Sequence, residues 1–103
     1  MVNYSLIENA ENVEVKLEGD LDIEGTEVIE EQLVPSLQKY KEVTLNFEEV
    51  PFVDSSGIGL LISLVQTLSG MEIKVTIGNV REDIQEVFEL LQLSEILGEG
   101  VFI

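Results

Sequence analysis

With 103 residues, 45% of them hydrophobic, the chain has material for one small domain around one core. Five Lys and Arg against 21 Asp and Glu leave a net charge of -16, which argues against binding nucleic-acid backbones or anionic membranes. Cysteine and histidine are absent, so disulfides, thiolate chemistry and the commonest general base and zinc ligand are excluded.

Tyr4-Ser5-Leu6-Ile7-Glu8 reads as a strand and Asn9 to Asn12 as a turn. Val13-Glu14-Val15-Lys16-Leu17-Glu18 alternates apolar and charged residues, as a half-buried strand does. The two strands predict an antiparallel hairpin. Gly19-Asp20-Leu21-Asp22 breaks the alternation and opens a loop. From Ile23 the pattern turns helical, with Val28, Ile29, Leu33, Val34 and Leu37 apolar. Glu24, Glu27, Glu30 and Glu31 form its solvent face, and Asp22 or Thr26 is the expected cap. Pro35 is expected to kink or end this helix near Val34, leaving a second turn with Leu37 and Tyr40.

Glu42 to Phe47 predicts the next strand, and residues 48–51 a turn. Ser56 to Leu68 reads as a helix apolar on nearly every side, hence buried against a sheet. Ile73 to Ile77 predicts another strand. Asn79 and Glu82 have the spacing of a capping box, before a helix whose Val80, Ile84, Val87, Phe88 and Leu91 form one core stripe. Val101-Phe102-Ile103 is a candidate last strand. Strands alternating with helices predict an α/β fold with parallel members, one domain over residues 1–103. The N-terminus lacks the basic start and long apolar stretch of a signal peptide. The longest apolar run, Ile58 to Val65, falls far short of the ~20 residues that span a bilayer. With cysteine also absent, the expectation is a cytoplasmic protein without membrane insertion.

The most informative stretch is Asp54-Ser55-Ser56-Gly57-Ile58-Gly59, where a strand segment gives way to a helix. A helix start exposes unpaired N–H groups and a positive dipole end. Ser55 therefore has two readings, a helix cap or a hydroxyl that accepts a phosphoryl group. Asp54 caps the helix or orients the Ser55 hydroxyl, and Ser56 reads as structural. Gly57 and Gly59 permit a close approach, either by a partner or by the sheet. Asp20 and Asp22 can bind a divalent cation or simply solvate a turn. No further ligand is evident, so no metal and no cofactor are expected.

These motifs, in this order and spacing, resemble the STAS domains of bacterial anti-sigma factor antagonists over essentially the whole chain. Gly19-Asp20-Leu21-Asp22 is similar to the family's Gly-acid-Leu-Asp loop. Asn46-Phe47 through Phe52-Val53-Asp54-Ser55-Ser56-Gly57-Ile58-Gly59 is similar to its central strand and Asp-Ser-Ser-Gly-hydrophobic-Gly signature. Asn79-Val80 and Val87-Phe88-Glu89-Leu90, followed by Leu93, resemble its last helix. The resemblance implies a mixed four- to five-stranded sheet with helices mainly on one face. It also implies that Ser55 is phosphorylated by an anti-sigma factor of the serine-kinase type. The unmodified chain would bind that factor and free the sigma factor, and a phosphatase would reset the phosphorylated form. Asp20, Asp22, Asp54, Ser56, Gly57, Ile58 and Gly59 would then belong to the docking surface, and no residue would be catalytic.

Two other functions compete. Some members of the family are scaffold or transport-complex subunits, which bind constitutively. A serine hydrolase is the third reading. It lacks a histidine for a Ser-His-Asp triad, and the serine run lacks the order Gly-x-Ser-x-Gly of a nucleophile elbow.

Overall fold

The computed structural model describes residues 2–103. The expected hairpin forms from β1 (Asn3–Asn9) and β2 (Asn12–Glu18), paired antiparallel from Asn3 opposite Glu18 to Asn9 opposite Asn12. β3 (Glu42–Glu49) and β4 (Lys74–Gly78) add in parallel, so the sheet is mixed, with the order β1-β2-β3-β4. Val13, Val15 and Leu17 of β2, Val43, Leu45 and Phe47 of β3, and Val75 and Ile77 of β4 are buried. The residues between them point to the opposite face, because successive side chains in a strand alternate. There the Thr44 and Thr76 hydroxyls lie 3.1 Å apart, and the Asn46 amide donates to Glu14 at 3.1 Å.

The helical segments cover the apolar face. Residues after Asp22 form a 3₁₀ turn (Ile23–Gly25), a π-helical stretch (Val28–Leu33) and the short helix α1 (Val34–Leu37). The helix was expected to kink or stop at Pro35. The π-helical stretch gives way to α1 at Val34, near where that change was expected, and α1 carries Leu37 with Pro35 within its first two positions, while Tyr40 lies beyond it. The wider π turn lies just before the residue that has no N–H to give and whose ring crowds the preceding turn. Ile29, Leu33 and Leu37 reach the core, while Glu24, Glu27, Glu30 and Glu31 are exposed as expected.

α2 (Ser55–Gly70) begins one residue earlier than its apolar pattern suggests and buries Leu60, Leu61, Leu64, Val65 and Leu68. α3 (Glu82–Leu90) and α4 (Leu93–Leu97) contribute Ile84, Phe88 and Leu93. The capping box at Asn79 does not form. Asn79 takes a left-handed conformation (φ 56°) on leaving β4, and α3 starts three residues later behind Arg81. The stripe on this helix is only partly core: Ile84 and Phe88 are buried, whereas Val87 and Leu91 are exposed. The C-terminus forms no full strand. Phe102 makes one parallel bridge to Ile77, the Ile103 amide donates to the Ile77 carbonyl, and the Phe102 ring rests 5.9 Å from that of Phe88. No helix, among the described residues, is long and apolar enough to cross a membrane.

This topology places the helix starts together. Ile23, Ser55 and Glu82 all follow the carboxyl ends of strands, the edge where open α/β sheets gather their sites.

Candidate functional site

The site is built by the chain leaving β2 and β3. The parallel register slips between Lys16 and Glu18, so that Glu18 faces Glu49 and β3 carries an extra residue. Gly19 then turns with φ 96°, a conformation that costs glycine little. Beyond the strands the two segments remain zipped. The Gly19 amide donates to the Glu49 carbonyl at 3.0 Å and the Leu21 amide to Phe52 at 2.9 Å, and Leu21 bridges Val53. Leu21 and Val53 are buried. Alternation therefore turns Asp20, Asp22, Phe52 and Asp54 the other way.

Asp54 is the cap of α2. Its backbone is extended, and its carboxylate accepts from the Gly57 amide at 2.8 Å. This settles which residue caps the helix and leaves the Ser55 hydroxyl free of that task. Ser55 occupies the first helical position and is exposed, while Ser56 is half-buried. Asp22 caps in the same manner, accepting from the Glu24 amide at 3.1 Å, and Asp20 stands exposed beside it.

The two glycines of the signature differ. Gly57 is buried, and a Cβ there would collide with the Leu21 carbonyl oxygen and lie 2.7 Å from the Leu21 carbonyl carbon. The close approach at Gly57 is thus made by the chain's own loop, rather than by the sheet. Gly59 is exposed, and a Cβ there would have nothing within 4 Å. Ile58 is buried at 8% exposure. Of the residues expected at the site, Asp20, Ser55 and Gly59 are exposed and Asp22, Asp54 and Ser56 are half-buried.

Sequence reasoning passed over two residues here. Ile23 is 67% exposed and Phe52 is 48% exposed, large apolar side chains flanking the acidic pair and the serine. Ile23 looked like the first residue of an amphipathic helix, and Phe52 like the approach to the serine motif. The available signal was an isoleucine between two acids, in Asp22-Ile23-Glu24, which cannot be buried in a short exposed turn.

The Arg81 guanidinium donates to the Glu48 carbonyl at 3.1 Å, at the carboxyl end of β3. The hydroxyl at the helix start and the first-turn amides that Asp54 does not take can accept and hold an added anion, while the surrounding carboxylates present an acidic face to a cationic surface.

Comparison with known proteins agrees with this fold. A family model described as STAS domain matches residues 3–102. An anti-sigma-B factor antagonist of Staphylococcus epidermidis is 30% identical over 97 residues, which cover 93% of this chain and 90% of that relative. Among solved structures, the unphosphorylated form of the anti-sigma factor antagonist SpoIIAA aligns with a TM-score of 0.65 at 23% identity, covering 93% of this chain and 99% of that one. The phosphorylated form of SpoIIAA from Bacillus aligns with a TM-score of 0.70 at 24% identity, covering 98% and 89%. At these identities the two structures speak for the fold.

Proposed function

Since this chain belongs to the STAS domain family, we propose that it is an anti-sigma factor antagonist switched by phosphorylation at Ser55. Unmodified, it docks on an anti-sigma factor of the serine-kinase type through the end of the sheet that carries Asp20, Asp22, Asp54 and Ser55, and the sigma factor is released. The kinase transfers a phosphoryl group from ATP to the Ser55 oxygen, and a phosphatase later removes it. The work is regulatory binding, carried out in the cytoplasm where sigma factors act, and the chain contributes no catalytic residue.

One observation carries this reading: Ser55 is exposed at the first position of α2 while Asp54 supplies the cap. Phosphate there adds a charge of about -1.5 to -2 beside free helix amides, so the fold accepts it. A docked partner must strip water from that charge. A penalty of only ~3 kcal/mol weakens docking more than a hundredfold. The name of the staphylococcal relative supports the antagonist role. The existence of a phosphorylated SpoIIAA supports a modified state in this fold.

The test uses the purified serine-kinase-type anti-sigma factor of the same cell. Incubation with ATP should place phosphate on Ser55, located by mass spectrometry. Ser55→Ala should bind without accepting phosphate, and Ser55→Asp should bind at least ~100-fold more weakly. Phosphate found on another residue, or equally tight binding by Ser55→Asp, rejects the switch.

A further inference from the structure

The acids around Ser55 have an ordinary explanation, since carboxylates at helix starts are favourable wherever they occur. The exposed Ile23 and Phe52 have none. An apolar side chain of that size gains by burial, and neither packs into the core. Both are held by fixed backbone. Ile23 opens the 3₁₀ turn capped by Asp22, and its carbonyl accepts the Thr26 hydroxyl at 2.7 Å. The Phe52 carbonyl accepts the Leu21 amide, two residues before Ile23. Anchors presented on ordered backbone cost little to immobilise when a partner arrives.

Their surroundings are predominantly acidic, although Arg81 donates to the Glu48 carbonyl at the same end of β3. Asp20, Asp22, Glu24, Glu49 and Asp54 lie within a few residues of the pair. Three of the five cations are occupied at the other end of the sheet: Lys39 with Glu8 at 3.3 Å, Lys41 with Glu11 at 3.6 Å and Lys74 with Glu42 at 3.5 Å. Exposed apolar side chains occur at both ends, Ile7 among the paired acids and Ile23 and Phe52 here, but among the described residues no ion pair neutralises the acids around Ile23 and Phe52.

We propose that Ile23 and Phe52 are the apolar anchors of the docking face, and that the partner meets them with an apolar socket ringed by arginine and lysine. This rests on the reading of the Ser55 end as the face that binds the anti-sigma factor, and it specifies the chemistry of that factor's surface. Large apolar residues inside a charged rim are the arrangement in which a few side chains dominate affinity. The rim steers a cationic surface to the site and fends off nucleic acid and anionic lipid, which share its sign.

The experiment measures association and dissociation rates of the purified serine-kinase-type anti-sigma factor with the full chain, Ile23→Ser and Phe52→Ser. Circular dichroism and urea midpoints check the fold, and Ile23→Ser, in an exposed turn, serves as the variant least dependent on folding. Each variant should dissociate about tenfold faster or more with an unchanged association rate. Asp20→Lys should slow association, and the wild-type association rate should fall as salt rises. Wild-type binding with Ile23→Ser and Phe52→Ser unaffected overturns the anchors and leaves the antagonist reading standing. An association rate that salt does not change overturns the cationic socket. Wild type that does not bind the factor at all removes both this inference and the function it rests on.

Discussion

The two ends of the sheet solve the problem of charge differently. At the end that holds the β1–β2 turn, acids are matched: Glu8, Glu11 and Glu42 each face a lysine, and the Tyr40 hydroxyl also donates to Glu8. That hydrogen bond, aided by Lys39, holds the Glu8 carboxyl below its usual range, and Glu8 in turn raises Tyr40 and Lys39 above theirs. At the serine end the carboxylates are spent on helix starts, with Asp54 and Asp22 as caps, and the apolar Ile23 and Phe52 stay uncovered. One end pairs its acids with lysines, and the other uses them as helix caps.

The serine end is also built with no slack, and Gly57→Ala should break it most. The added methyl meets backbone atoms of Leu21, which cannot rotate away. A loss of ~3 kcal/mol is expected in urea unfolding, at the upper end of overpacking costs; a loss below ~0.5 kcal/mol would mean that the loop yields freely. Asp54→Ala removes the α2 cap and should cost ~1 kcal/mol, with the first turn of α2 exchanging its amide hydrogens faster. Gly59→Ala, two residues beyond Gly57, should act in the opposite sense and stabilise by ~0.7 kcal/mol, since nothing opposes the methyl and alanine prefers the helix. Equal effects at the two glycines would erase the distinction drawn between them.

The smallest effect belongs to the opposite end and appears only against pH. Glu8 is lowered in the fold, so its contribution exists above the ordinary carboxylate range and is lost as pH falls through the lowered value. Tyr40 and Lys39 are raised, so theirs exists below their ordinary ranges and is lost as pH rises through the raised values. Tyr40→Phe should therefore shift the acid limb of stability toward higher pH and reduce the alkaline loss. Urea midpoints measured across pH check this, and identical acid limbs for the two proteins would count against the Tyr40–Glu8 bond.

The hairpin, the parallel strands and the buried α2 were legible because alternation and helical spacing are local properties of the chain. The serine motif was legible for a similar reason, as short polar residues and glycine cluster where a strand yields to a helix. Pro35 signalled the change near Val34, but the widened turn upstream of it was not legible, because it depends on how Ile29 and Leu33 pack. Asn79 was misjudged because a favourable cap sequence competes with a left-handed turn that the chain needs on leaving β4. Val87 and Leu91 look like core by spacing, yet they lie on the outer side of α3 and just past its end, where they stay exposed.

The chain by itself determined the class of the fold, the position of the serine and the excess of negative charge, because each follows from the order and type of neighbouring residues. Tertiary structure decided the rest. Only the zipped course of residues 19–22 along 49–54 brings Asp20 and Asp22 beside Ser55, closes Gly57 against Leu21 and leaves Ile23 and Phe52 in solvent. The reason is that burial depends on what the rest of the chain brings alongside, and in this region that is settled by pairing between segments some thirty residues apart in sequence.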